Sequence, residues 1–212
     1  MNRTSSEALQ ISSVRRIHGR AILTLSNRET ISMPRAMLRE RPYKSGMPFD
    51  RSAFDTFMLE RSYAFAMEKA VAQLAMRART EKEIEDCLIK NAYPERAIAK
   101  VMAYLHEAGY INDAEFAEQW TEARTTKGLG SRRIQMELRQ KGVDQTQIEQ
   151  VISSIDENKM LEGAVKTALK AARGKDLSSP ADRQKILAAL ARRGYDFSLA
   201  KKAIQQLMET ES

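Results

Sequence analysis

Three stretches of the chain repeat one spacing of apolar residues, and that spacing constrains the fold more than any other feature. From Ile134, apolar or small residues recur at Leu138, Gly142, Val143, Ile148, Ile152 and Ile155. The same intervals from Ile84 reach Leu88, Ala92, Tyr93, Ile98, Met102 and Leu105, and from Ile186 they reach Leu190, Gly194, Tyr195, Ala200, Ile204 and Leu207. The origins lie about fifty residues apart, a period that belongs to an array of helical units sharing interfaces rather than to one irregular core.

Helix punctuation falls where this spacing requires it. Thr80 with Glu83 forms a capping box ahead of Ile84, and Pro94 opens the helix through Ile98 and Leu105, which Gly109 ends. Asn112 or Asp113 caps a helix carrying Phe116 and Trp120, Ser131 caps the next, and Asp144 with Gln147 forms a second box after Gly142. Ser179-Pro180 opens a helix in the last unit, and Gly194 with Asp196 repeats the turn and cap of Gly142 and Asp144. Each unit is thus three helices. The expected first helices run from about Tyr63 to Ala78, with Met67, Val71, Leu74 and Ala78 inward, and from about Asn158 to Ala172.

Ahead of the array, Ile11–Ile17, Ala21–Leu25 and Thr30–Met33 read as short strands that must pack on the helices to be stable. The fold class is therefore mainly α, a tandem array of three-helix repeats with a short N-terminal β-hairpin or small-strand extension. Its expected divisions are a disordered polar tail over 1–10, strands and linker over 11–60, and repeats over 61–110, 111–157 and 158–212. Within the linker, Asp50 to Glu60 reads as weakly helical. Tyr110, Phe116 and Trp120 are assigned to packing between units.

Hydrophobic residues make up 42% of the chain, enough for a core, while aromatics are only 6% and Met and Ala fill much of the apolar pattern. That composition suits small, closely packed helix pairs. The single cysteine, Cys87, can form no internal disulfide, so the expected compartment is the reducing cytoplasm. No apolar run approaches the roughly 18 residues of a membrane span.

The formal charge is +7, and it is uneven: residues 1–60 carry 10 Lys/Arg against 6 Asp/Glu, residues 111–160 carry 7 against 9, and residues 161–212 carry 10 against 6. Basic ends on a helical array suit work against a nucleic acid or nucleoprotein. The basic residues gather on and just after the short second helices: Arg132, Arg133, Arg139 and Lys141 in the middle unit, Arg183, Lys185, Arg192 and Arg193 in the last, with Lys201 and Lys202 following. Helical spacing sets them off the apolar positions, as a stripe able to hold phosphate or an acidic protein loop. A solvated face uses the same pattern.

Catalytic signals are poor. His18 and His106 lie apart, no His/Cys/carboxylate cluster has metal spacing, and Gly128-Leu129-Gly130-Ser131 follows a helix and lacks the lysine of a phosphate loop. Leu138, Gly142 and Ile148 match the spacing of a DNA-reading helix-turn-helix, but the helices in recognition position start Asp144-Gln145-Thr146, Pro94-Glu95-Arg96 and Asp196-Phe197-Ser198. They share no basic residue to hold phosphate.

Gly109-Tyr110-Ile111-Asn112-Asp113, Phe116-Ala117, and Arg133-Ile134 through Glu137-Leu138 to Lys141-Gly142-Val143 resemble the central signature of the RecX family of recombination regulators. Arg79-Thr80, Glu83-Ile84 and Leu88, and Leu190 to Tyr195, are similar to its flanking copies, so the resemblance covers about residues 11–207. It implies a tandem of three-helix modules without enzymatic activity or cofactor. It also implies a RecA partner, bound as the filament on single-stranded DNA, whose ATP hydrolysis and strand exchange such proteins restrain during recombination and DNA repair. A monomer is expected. A second reading is a direct DNA-binding protein acting through phosphate contacts. Asn91-Ala92-Tyr93-Pro94 departs from the Gly-containing turn of the other two units.

Overall fold

Alternation of apolar and polar residues between Ile11 and Pro34 produces three antiparallel strands: β1 (Ile11–Ile17), β2 (Arg20–Leu25) and β3 (Thr30–Pro34), hydrogen-bonded in that order. These belong to a computed structural model that describes residues 9–211. Most of the expected disordered tail lies outside those residues. Of its last two, Gln10 bridges Pro48, and the Leu9 carbonyl accepts from the Phe49 amide at 2.7 Å.

The chain forms two compact units, one reaching Ile111 and one starting at Asn112. In the first, Ala21, Leu23, Leu25 and Met33 turn one face of the sheet inward. They meet Met37 in a 3-10 turn over Arg35–Arg39 and the rings of Tyr43, Phe49 and Phe54, whose centroids lie 5.5 to 6.2 Å apart. Three helices complete the unit: α1 (Arg51–Met76), α2 (Glu81–Lys90) and α3 (Glu95–Glu107).

Helix α1 corrects the sequence reading twice. It is one helix of 26 residues, beginning where Asp50 accepts the Ala53 amide at 3.0 Å, and it includes the stretch read as weakly helical linker. Its inward face is Phe54, Met58, Ser62, Phe65, Ala66 and Ala70, while Val71 and Ala78 are exposed. The aromatic cluster causes both differences: burying Phe54 and Met58 against the linker rings extends the helix backward and sets its azimuth.

The second unit contains α4 (Asp113–Thr126), α5 (Ser131–Gln140), α6 (Gln145–Ser153), α7 (Glu157–Ala172), α8 (Pro180–Arg192) and α9 (Phe197–Glu211). Helix α7 packs on α8 and α9, and α4 packs on α5, α6 and α7. The shared spacing marks the core: Ile84, Leu88, Ile134, Leu138, Ile148, Ile186 and Leu190 are among the fully buried side chains. Tyr93 and Tyr195 are buried as well, and Tyr93 Oη donates to the Phe65 carbonyl at 3.0 Å.

The Thr80–Glu83 capping box forms, Asn112 caps α4, and Asp156, absent from the sequence reading, caps α7. Asp144 caps α6 through the Thr146 amide at 2.8 Å. Gly130, not Ser131, is the cap residue of α5. In the first repeat Ala92 takes the left-handed conformation, φ 61°, that Gly142 and Gly194 take in the others, so the turn survives the loss of its glycine.

Candidate partner-binding surface

Gly130 has ordinary extended backbone, φ −80° and ψ 162°, so torsional freedom does not explain it. Close approach does. A Cβ at Gly130 would lie 2.3 Å from the Gly194 carbonyl carbon and the Tyr195 nitrogen, and a Cβ at Gly194 would lie 2.4 Å from Arg133. The α4–α5 loop and the α8–α9 turn therefore touch backbone to backbone. The Gly130 amide donates to the Arg193 carbonyl at 2.9 Å and the Arg132 amide to the Gly194 carbonyl at 3.1 Å.

This latch joins Arg132-Arg133 of the middle repeat to Arg192-Arg193 of the last, and all four side chains are exposed. Arg133 also pairs with Glu137 at 3.3 Å. Beside the cluster, the Asp196 carboxyl is held below the usual carboxylate range, first by the Leu199 amide and the Ser198 hydroxyl and further by the charge of Arg132. Arg192 and Arg193 also edge a groove of about 890 Å³ between α4, α7 and α8, lined in part by Thr121, Thr125, Lys166 and Lys170.

The other candidate residues divide by what they already hold. Arg183 is half-buried and donates to the Leu177 and Ser178 carbonyls, both at 2.9 Å, so it fastens the loop before α8. Lys141 lies over the Trp120 and Phe116 rings at 4.2 and 5.2 Å. Lys185 pairs with Asp182 at 2.8 Å, and Arg139 donates to Gln145 at 3.0 Å. Lys201 lies 4.8 Å over the exposed ring of Phe197, and Lys202 is exposed.

Sequence reasoning missed the residue that organises this region, Glu137. Its carboxylate accepts from Trp120 Nε1 at 3.1 Å, from Arg124 Nε at 2.7 Å and from Arg133. Arg124 in turn lies 3.9 Å over the Trp120 ring, and Trp120 stacks on Phe116 at 5.5 Å. Phe116 and Trp120 thus pack inside the second unit. Tyr110 does not pack as expected: it is 61% exposed, because the left-handed turn at Gly109 aims the chain outward while the Tyr110 amide bonds the Leu105 carbonyl.

Among the described residues, no group of three or more His, Cys, Asp or Glu side chains could hold a metal ion, and no helix is long and apolar enough to cross a membrane. His106 pairs with Glu81 at 3.0 Å, while His18 sits in the turn between β1 and β2.

Consecutive three-helix modules define a helical-repeat protein. Models of the first, second and third three-helix domains of RecX match residues 66–105, 112–152 and 157–204. The chain is 30% identical over 189 residues to the regulatory protein RecX of Bacillus pumilus, spanning 88% of this chain and 72% of that one. It is 38% identical over 133 residues to that of Mycolicibacterium smegmatis, spanning 60% and 71%. A crystal structure of RecX from Lactobacillus salivarius aligns with a TM-score of 0.64 at 25% identity over 69% of this chain and 96% of that one. Another crystal structure of regulatory protein RecX shares the fold, with a TM-score of 0.62 at 21% identity over 91% of this chain and 97% of its own. The chain belongs to the RecX family.

Proposed function

We propose that this protein is a non-enzymatic regulator of homologous recombination and DNA repair, which binds the RecA filament on single-stranded DNA and restrains its ATPase and strand exchange. It works in the cytoplasm as a monomer and without a cofactor. Family membership supports the regulatory role. The observation that carries the binding mode is the arginine cluster: two repeats are latched so that four guanidinium groups share one exposed surface beside a groove. Guanidinium groups recognise carboxylate and phosphate bidentately, so such a surface suits an assembly that offers acidic protein loops and a phosphate backbone together.

Arg132, Arg192 and Arg193 are the leading contacts, and Arg139, Lys201 and Lys202 lie within the same unit. Arg183 and Lys141 support the surface by holding the loop before α8 and the Trp120 ring. The test compares binding to naked single-stranded DNA with binding to the same DNA coated by RecA. At least tenfold preference for the coated strand is expected. Equal affinity would favour direct phosphate binding as the whole function.

A further inference from the structure

The N-terminal sheet carries a second cationic surface, of a different kind from the helical one. Between Ile11 and Arg35 there are five arginines and a single acidic residue, Glu29. Arg51 of α1 engages that glutamate at 2.6 Å. Elsewhere in the same unit arginines are neutralised in place, as in Arg39–Glu68, Arg61–Glu40 and Arg77–Glu83. Arg15, Arg16, Arg20 and Arg35 have no carboxylate partner among the described residues, and all four are exposed.

Register collects them. Val14 pairs with Leu23 and Ala21 with Met33 on the core side, so Arg15 opposite Ile22 and Arg20 opposite Ile17 lie on the other, open face. Arg15 and Arg20 are diagonal neighbours, a relation that places side chains about 7–8 Å apart on adjacent strands. The Arg35 amide donates to the Gly19 carbonyl at 2.9 Å, which fixes Arg35 beside the β1–β2 turn. Arg16, opposite Ala21, belongs to the other side of the sheet but is exposed at the same β1–β2 end. The rest of the open face is hydroxyl and aliphatic, with Thr24, Thr30, Ser32 and Ile22, and it carries no carboxylate.

Like charges gathered at one end of the sheet repel one another, and a counter-charge from outside relieves that repulsion. A sheet anchored by buried Leu23, Leu25 and Met33 fixes the backbone positions of these arginines, which reduces the ordering cost of binding. Arginine rather than lysine throughout favours phosphate oxygens, with hydroxyls as supplementary donors. No Phe, Tyr or Trp occurs from Ile11 to Pro34, and His18 sits in the β1–β2 turn, so the strands carry no platform for stacking bases. We propose that the open face of the N-terminal sheet, with Arg15 and Arg20 as central contacts, and the adjoining β1–β2 end, with Arg16 and Arg35, form a sequence-independent phosphate platform for a nucleic-acid strand.

The test measures fluorescence anisotropy of a labelled oligo-dT with the full chain across a salt series. The fourfold change R15Q/R16Q/R20Q/R35Q should weaken binding about tenfold or more, and should flatten the logarithmic salt slope by about 0.7 for each phosphate contact removed. The matching fourfold lysine variant should keep most of that slope. Arg15→Gln and Arg20→Gln alone give the same reading at smaller amplitude, should the fourfold change disturb folding. Oligonucleotide binding that the parent lacks at low salt, or that the glutamine variants leave unchanged, would overturn the proposal. So would a lysine variant as weak as the glutamine one, or stronger binding to anionic lipid vesicles than to the oligonucleotide. The helical arginine cluster is untouched in all these variants, so inhibition of RecA reports on the proposed function separately.

Discussion

Replacing Gly130 by alanine perturbs the latch without removing a charge or a core side chain. The new methyl would lie 2.3 Å from main-chain atoms of Gly194 and Tyr195, and backbone cannot swing aside as the end of a long side chain can. Overpacking of this kind costs about 1–3 kcal/mol. Separation of the two segments also strains two hydrogen bonds, from Gly130 to Arg193 and from Arg132 to Gly194, each with a net contribution of about 0.5–1.5 kcal/mol. The expected loss is about 2–4 kcal/mol in the second unit. At about 4–8 °C per kcal/mol for a unit of this size, its melting transition should fall by at least about 8 °C. Gly109→Ala is the comparison: its φ is +69°, with no atom within 4 Å of the added Cβ, so only the torsional cost of about 1–2 kcal/mol applies. Thermal unfolding of the full chain by circular dichroism, with hydrogen exchange at the Gly130 and Arg132 amides, reads both effects. A Gly130→Ala protein that melts with the parent and keeps both amides protected would refute the latch.

Leu138→Ala deletes a fully buried side chain and should cost about 2–5 kcal/mol in denaturant titration, with an effect under about 1 kcal/mol placing Leu138 outside the core. Ala92→Gly relieves a left-handed alanine and should raise stability by up to about 1 kcal/mol, whereas a lowered melting temperature would mean that the turn carries no strain. Burial pushes the Tyr93 hydroxyl up to about 12, against an unfolded value near 10. Its contribution is therefore complete below about pH 10 and is lost as pH rises through about 12. Tyr93→Phe should be less stable than the parent at neutral pH, by about 1 kcal/mol for the bond to Phe65, and should lose less stability between pH 10 and 12. Parallel alkaline profiles would contradict that assignment.

The parts of the fold legible in the sequence were those encoded locally. Period and capping residues located α2, α3, α5 and α6 because Thr80, Gly142, Asp144 and the apolar steps act within a few residues of themselves. Helix α1 was misread because its start depends on Phe54 meeting Tyr43 and Phe49, rings whose convergence leaves no periodic trace. The basic residues were visible as a composition, but their duties were not: nothing in the sequence separates Arg183, spent on two carbonyls, from exposed Arg192. The latch left one faint signal. Gly130 follows Gly128 closely, only one of the two has a positive φ, and the other therefore marks close approach.

The central claim is that arginines from two repeats act together on the RecA filament. The direct measurement titrates inhibition of RecA ATPase on single-stranded DNA, at low and moderate salt, with the parent and with R132E/R192E/R193E. Arg133 is left in place because it pairs with Glu137, and circular dichroism serves as the folding control. Exposed charges contribute at most about 1 kcal/mol to folding, whereas their attraction to a polyanionic assembly falls steeply with salt. The account predicts that the variant inhibits far more weakly at low salt and that its inhibition varies less with salt than the parent's. Superimposable inhibition curves for parent and variant at both salt concentrations would contradict it.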